Sequence, residues 1–217
     1  MMVAKDNGNG KGHDAEGRGD PKTCSEAKQP LEIPHRVRDE ELVRWYPMRV
    51  TYGREMKMTG ELDRIGIECF VPMTYKMIDA DGEGLRRELV PAINNLIFVR
   101  STQERISGLK RSNEVLEPLR YMMDFTAEEE HVILTVPDRQ MENFMRVATN
   151  TDESVMFLDG KSIVGKEGKR VKIMGGAFEG VEGVIRRVKR CKRVVVEIEG
   201  VASVAIAHVP VGLLREI

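Results

Sequence analysis

Residues 168–185 constrain the fold of this chain more than any other stretch. They run Gly168-Lys169-Arg170-Val171-Lys172-Ile173-Met174-Gly175-Gly176-Ala177-Phe178-Glu179-Gly180-Val181-Glu182-Gly183-Val184-Ile185. Val171 and Ile173 alternate with Arg170 and Lys172, the two-residue period of a strand with one dry and one wet face. Gly175 and Gly176 follow, where the chain must reverse and positive φ suits glycine. Phe178 is the one large apolar group of the loop and pins it to a core. Gly180 and Gly183 bracket the entry to a second strand, where a bulge or a close backbone approach is expected. A generic hairpin with a glycine-rich turn needs none of the remaining spacing. The full spacing sets a narrower limit.

Composition excludes several classes. The 34 basic and 35 acidic side chains nearly cancel, so overall charge names no nucleic-acid partner, and any basic surface must be local. Cys24, Cys69 and Cys191 are odd in number and far apart, which argues against a disulfide scaffold or zinc site and for a reducing compartment. His13, His35, His131 and His208 are scattered as well, so no metal or cofactor is expected. No signal pattern opens the chain, and the longest apolar candidate for a membrane span, Val201 to Leu214, is broken by His208 and Pro210. A soluble, cytoplasmic, monomeric protein is expected.

Residues 1–43 are rich in Gly, Lys, Asp and Glu and read as a disordered tail. A first folded unit is expected over 44–148. Trp45 to Val50 is a strand in which Pro47 marks an edge or an interruption. Arg54 to Ile65 is a helix with Met58, Leu62 and Ile65 on one face, ended by Gly66. Ile67 to Pro72 is a second strand, Tyr75 to Ile78 leads to a turn at Asp79–Gly84, and Leu85 to Val90 returns. Leu96 to Val99 is a buried strand. A helix capped by Ser101 or Thr102 carries Ile106 and Leu109. Val115 to Met122 is extended, His131 to Val136 is a short strand, and Asp138 caps a helix with Met141, Phe144, Met145 and Ala148 as its apolar side. The fold class that follows is α+β: an antiparallel ferredoxin-like sheet with helices. After a linker at 149–165, although Val155 to Leu158 is apolar enough to pack, residues 166–217 supply five short strands for a small β-barrel. The two units are expected to pack independently.

The stretch from Gly168 to Ile185 resembles a KOW motif, found in SH3-like barrels of NusG-type transcription factors and of some ribosomal proteins, with Gly168, Val171, Gly176, Phe178, Gly180 and Gly183 as its marks. Trp45-Tyr46-Pro47-Met48-Arg49, Tyr52-Gly53-Arg54-Glu55, Gly66 to Pro72, Asn94-Asn95-Leu96-Ile97-Phe98-Val99-Arg100 and Val136-Pro137-Asp138-Arg139-Gln140-Met141 are similar, in order and spacing, to the N-terminal (NGN) domain of NusG-like elongation factors. The Asn-Asn-Leu and Val-Pro-Asp segments resemble most the UpxY-type antiterminators of capsular polysaccharide operons. The resemblance implies a non-enzymatic factor that sits on the clamp helices of RNA polymerase and suppresses pausing or termination. It also implies contact with an exposed non-template DNA strand, and a barrel of the kind that binds a small-subunit ribosomal protein or a termination factor.

On that resemblance Tyr46, Arg49, Leu96 and Phe98 are the polymerase-contact candidates, although strict alternation puts Tyr46 and Arg49 on opposite faces and Phe98 also reads as core. Arg54, Lys57, Arg64, Arg86 and Arg87 are the candidates for phosphate contact, and each equally fits a solvated face. Lys189, Arg190, Lys192 and Arg193 form a dense basic turn that fits contact with RNA or the ribosome, and equally the charge that hairpin turns often carry without such a role. The alternative is a ribosome- or RNA-binding protein that carries a KOW barrel; Leu96 to Val99 offers one aromatic where base-stacking sheets use two or three. Two enzyme-like signals fail. Gly160-Lys161-Ser162-Ile163-Val164-Gly165-Lys166 ends in Glu167 where a phosphate loop needs Ser or Thr. Cys69 or Cys191 shows no spacing relation to His131 or His208.

Overall fold

The first sheet is built around Leu96–Ser101, whose first four residues, Leu96 to Val99, are apolar and buried on both faces. In the computed structural model, which describes residues 41–79, 84–124, 132–150, 154–158, 163–164 and 168–217, this strand (β5) pairs antiparallel with β1 (Arg44–Arg49) and β2 (Glu68–Phe70). A two-residue strand, β6 (Arg120–Tyr121), completes the order β2-β5-β1-β6. Pro47 lies inside β1, yet its carbonyl, and so its missing N–H, faces the β6 flank, where only Met48 and Arg49 are paired. The interruption expected from the proline is therefore on that side.

Alternation divides the sheet's apolar residues. Tyr46, Met48, Val50, Ile97 and Val99 meet Met58 and Leu62 of α1 (Glu55–Arg64) and Ile106 of α2 (Gln103–Ser112) on one face. Thr102 caps α2 by accepting the Arg105 N–H at 3.1 Å. Gly66, at φ 70°, ends α1. On the other face Trp45, Leu96 and Phe98 meet Met141, Phe144, Val147 and Ala148 of α3 (Asp138–Ala148). Asp138 does not cap this helix as expected. Pro137 takes that position and Asp138 becomes the first helical residue, its carboxylate turned to Arg100 at 3.5 Å. Two further expectations differ. Val115 to Met122 is not extended throughout, because Asn113 accepts the Val115 N–H at 2.9 Å and draws the chain into a turn before β6. Of the strand expected over His131 to Val136, the described residues 132–136 contribute two isolated bridges, Ile133 with Met123 and Val136 with Trp45, and no continuous strand.

Among the described residues β3 (Met73–Asp79) and β4 (Leu85–Pro91) pair only with each other, as a two-stranded ribbon. The remaining strands form an antiparallel, barrel-like sheet: β13 (Leu214–Glu216), β9 (Arg170–Ile173), β10 (Glu182–Val188), β11 (Cys191–Ile198), β12 (Ala202–Ile206) and β7 (Val155–Leu158), with β8 (Ile163–Val164) on β10. The apolar quartet Val155–Leu158, within the stretch expected as linker, thus packs as a strand against β12. The two cores are not separate. Trp45, Phe98 and Phe144 belong to one continuous apolar cluster with Val171, Ile173, Val196, Val204 and Ile206 of the barrel-like sheet. Residues 1–40, most of the tip at 79–84, His131 and most of the Gly160–Glu167 segment lie outside the described residues.

Candidate macromolecular interface

The four residues expected to meet a polymerase do not form one surface. Pairing places Arg49 opposite Leu96 and Pro47 opposite Phe98, so Arg49, Leu96 and Phe98 share the α3 side of the sheet. Tyr46 points to the other face, where its ring meets Tyr121 edge-on at 5.7 Å. Leu96 and Phe98 are 0% exposed and Tyr46 2%, while Arg49, at the end of β1, is exposed. Phe98, Phe144 and half-buried Phe70 form a triad with centroid separations of 5.7 and 6.4 Å, so α3 covers this part of the sheet. In this arrangement Tyr46, Leu96 and Phe98 are core side chains, as their apolar bulk alone allows.

The turn leading into β5 carries a residue that sequence reading missed. Asn95 adopts φ 61°, where Asn is tolerated and most side chains are not. Its backbone N–H donates to Glu55 Oε1 at 2.5 Å, its side-chain oxygen accepts from Gly53 N at 3.3 Å, and its carbonyl accepts from Val50 N at 3.1 Å. Glu55 is 3% exposed, so a buried carboxylate ties the start of α1 to the edge of β5. The signal was present in the sequence as an acidic residue in the first helical turn, which reads equally as a dipole partner.

Of the basic candidates, Arg54 and Lys57 come together at the start of α1, where they line a shallow cleft with Met58, Glu114 and Val115. Arg64 lies near the other end of the ten-residue helix, about 15 Å away at 1.5 Å per residue. It is held by Glu61 at 2.7 Å, and the same pairing, with Asn113, brings the Glu61 carboxyl down to about 2. Arg86 and Arg87 are on the β3–β4 ribbon and point to opposite faces. Arg86 pairs with Glu88 at 3.5 Å, and Arg87 covers the Tyr75 ring at 4.1 Å, on a face that also exposes Met77, Leu85 and Leu89. These five residues therefore fall on two elements, α1 and the β3–β4 ribbon.

The glycine-rich loop fits its spacing for specific reasons. A Cβ on Gly168 would sit 2.2 Å from the Ile185 carbonyl oxygen, and one on Gly183 2.7 Å from that of Val195, so backbone occupies the space a side chain would need. Gly176 and Gly180 have φ of 83° and 85°. Phe178 is buried, and Val171 points into the same apolar cluster. Further on, β10 and β11 reverse through Lys189 and Arg190, at φ 45° and 70°, the pattern of a type I′ turn that favours Asn-Gly. Left-handed backbone costs a side chain-bearing residue roughly 1–2 kcal/mol.

Polar contacts from α3 line the seam with the barrel-like sheet. Arg139 pairs with Glu182, Gln140 Nε2 donates to the Glu197 carbonyl at 2.9 Å, and Arg146 donates to the Glu179 carbonyl at 2.7 Å. A cleft of about 600 Å³ along this seam is lined by Arg139, Arg170 and Arg186 against Glu182, Glu197 and Glu199, a balanced set that favours neither anions nor cations. Cys69 is poorly placed for nucleophilic work, because burial and then Asp63 push its thiol up to about 12. Among the described residues no helix is long and apolar enough to cross a membrane.

No curated protein matches this chain. A family match begins just before β1, takes in the helices and strands of the first sheet, and stops within the last turn of α3, short of the glycine-rich loop. Residues 43–145 match the NusG family model, Transcription termination factor nusG, and the chain carries a NusG domain there.

Proposed function

We propose that the protein is a NusG-like elongation and antitermination factor that binds the clamp helices of RNA polymerase and suppresses pausing or termination. The observation that carries this reading is the NusG match over 43–145, which covers the elements packed around β5. The glycine-rich loop supports a KOW assignment for the sheet that follows, since Gly168 and Gly183 meet backbone where other residues would clash. The UpxY type, and with it a polysaccharide biosynthesis operon, rests on Asn94-Asn95-Leu96 and Val136-Pro137-Asp138; the left-handed Asn95 gives the first of these a backbone reason. Within this reading Arg49 makes the direct polymerase contact, with Leu96 and Phe98 shaping the surface from beneath. Arg54, Lys57 and the ribbon arginines Arg86 and Arg87 face the non-template strand. The KOW sheet takes a small-subunit ribosomal protein.

The test is terminator read-through by purified polymerase, with and without the protein, alongside capture of the isolated clamp domain. Read-through should rise, and Arg49→Ala should lower capture. Unchanged read-through together with no capture would leave the ribosome- or RNA-binding alternative standing.

A further inference from the structure

The β10–β11 hairpin concentrates charge where its own fold resists it. Residues 186–193 hold Arg186, Arg187, Lys189, Arg190, Lys192 and Arg193 and no acidic residue. Pairing sets Arg186 directly across from Arg193 and Arg187 across from Lys192, so like charges face each other on both sides of the ladder. Such pairs destabilise a sheet. Arg186 is engaged by Glu197 at 2.7 Å. Among the described residues no carboxylate lies within ion-pair distance of the other five. Arg187, Lys189, Arg190 and Lys192 are exposed at the end of the hairpin, and Nε and Nη1 of half-buried Arg193 have no hydrogen-bond partner among the described residues. The reversal itself uses Lys189 and Arg190 in left-handed backbone, where Asn-Gly would be unstrained. A solvated loop tip has no need of this combination. An anion spanning the tip would offset all of it.

We infer that the end of the β10–β11 hairpin is a nucleic-acid phosphate-binding prong, separate from the NusG domain. The tip holds no aromatic residue between 186 and 193, so it grips the backbone and does not stack bases or read sequence. The charge is spread along the two strand ends, which suits a chain of phosphates more than a single anion.

The experiment measures binding of fluorescent single strands, RNA and DNA of roughly 20 nucleotides, to the full chain across a salt series without polymerase. Four phosphate contacts give a slope of about −3 in log affinity against log salt. Lys189→Asn/Arg190→Gly removes two charges while relieving the turn. It should reduce the slope by about 1.4 and weaken binding about 25-fold near 0.1 M salt, with thermal stability unchanged or higher. Arg187→Gln/Lys192→Gln should do the same. RNA or DNA should also slow alkylation of Cys191, which is exposed at the tip. Tip-dependent binding of RNA, DNA or both supports the prong. It is overturned if the parent binds neither strand, if both variants bind as the parent does, or if polyglutamate binds in a tip-dependent way and nucleic acid does not. Clamp-domain capture by the same variants should not change, so failure here and failure of the polymerase reading are separate results.

Discussion

Phe144→Ala tests whether the NusG domain and the barrel-like sheet are one cooperative unit. Phe144 is fully buried on α3, 5.7 Å from the Phe98 ring and 6.4 Å from that of Phe70, inside the cluster that continues to Val196 and Ile206. Truncating a buried Phe costs about 3–5 kcal/mol, from lost transfer free energy and from the cavity left behind. The described part of the chain falls in the size range where 1 kcal/mol shifts Tm by about 2–4 °C, so a mid-range loss lowers Tm by about 8–16 °C. Two probes separate the halves. Trp45, the single tryptophan, is buried in this cluster and reports the NusG domain by fluorescence. Amide exchange of β11 and β12 reports the barrel-like sheet. With a shared core, the Trp45 transition and the loss of β11–β12 protection move down together. If the β11–β12 amides keep parental protection while Trp45 melts early, the continuity of the cluster has no energetic meaning and the two parts fold independently.

Other substitutions probe single features. Gly168→Ala and Gly183→Ala should each destabilise by about 1–3 kcal/mol through backbone overlap at 2.2 and 2.7 Å, whereas Gly60→Ala, in α1 with open space around it, should stabilise by about 0.5–1 kcal/mol; a urea titration of the three variants gives the ranking. Glu55→Ala strands the half-buried Asn95 N–H and should cost about 1–3 kcal/mol, seen as a lower Tm, while an unchanged Tm would mean that water replaces the carboxylate. The Glu61 carboxyl is depressed, so its pairing with Arg64 and Asn113 stabilises the fold above the ordinary carboxylate range. That contribution is lost as pH falls through about 2. Glu61→Gln should flatten the acid limb of stability between about pH 4.5 and 2, measured by denaturant midpoints.

The parts of this fold that were legible in the sequence are those where one residue has one physical reason to be where it is. Gly66 and Gly176 adopt left-handed backbone, Thr102 caps α2, and Pro47 faces the broken side of its ladder. The α+β pattern followed from such local signals. What could not be read were choices settled by distant neighbours. An apolar residue on a strand, such as Phe98, looks the same whether it awaits a partner or lies under α3, because both require bulk without charge. Val155 to Leu158 reads as packable, but nothing local says that β12 offers the open edge it joins. Glu55 and Asn95 are 40 residues apart, and only the fold makes their hydrogen bond. The basic turn is the reverse case. Its charges were plain in the sequence, but their cost appears only once pairing sets Arg187 across from Lys192 and the turn forces Lys189 and Arg190 into left-handed backbone. A charge cluster becomes informative when the structure around it would be more stable without it, and by that criterion the hairpin tip is set apart from Arg64, Arg86 and Arg87, whose charges are already met by Glu61, Glu88 and the Tyr75 ring.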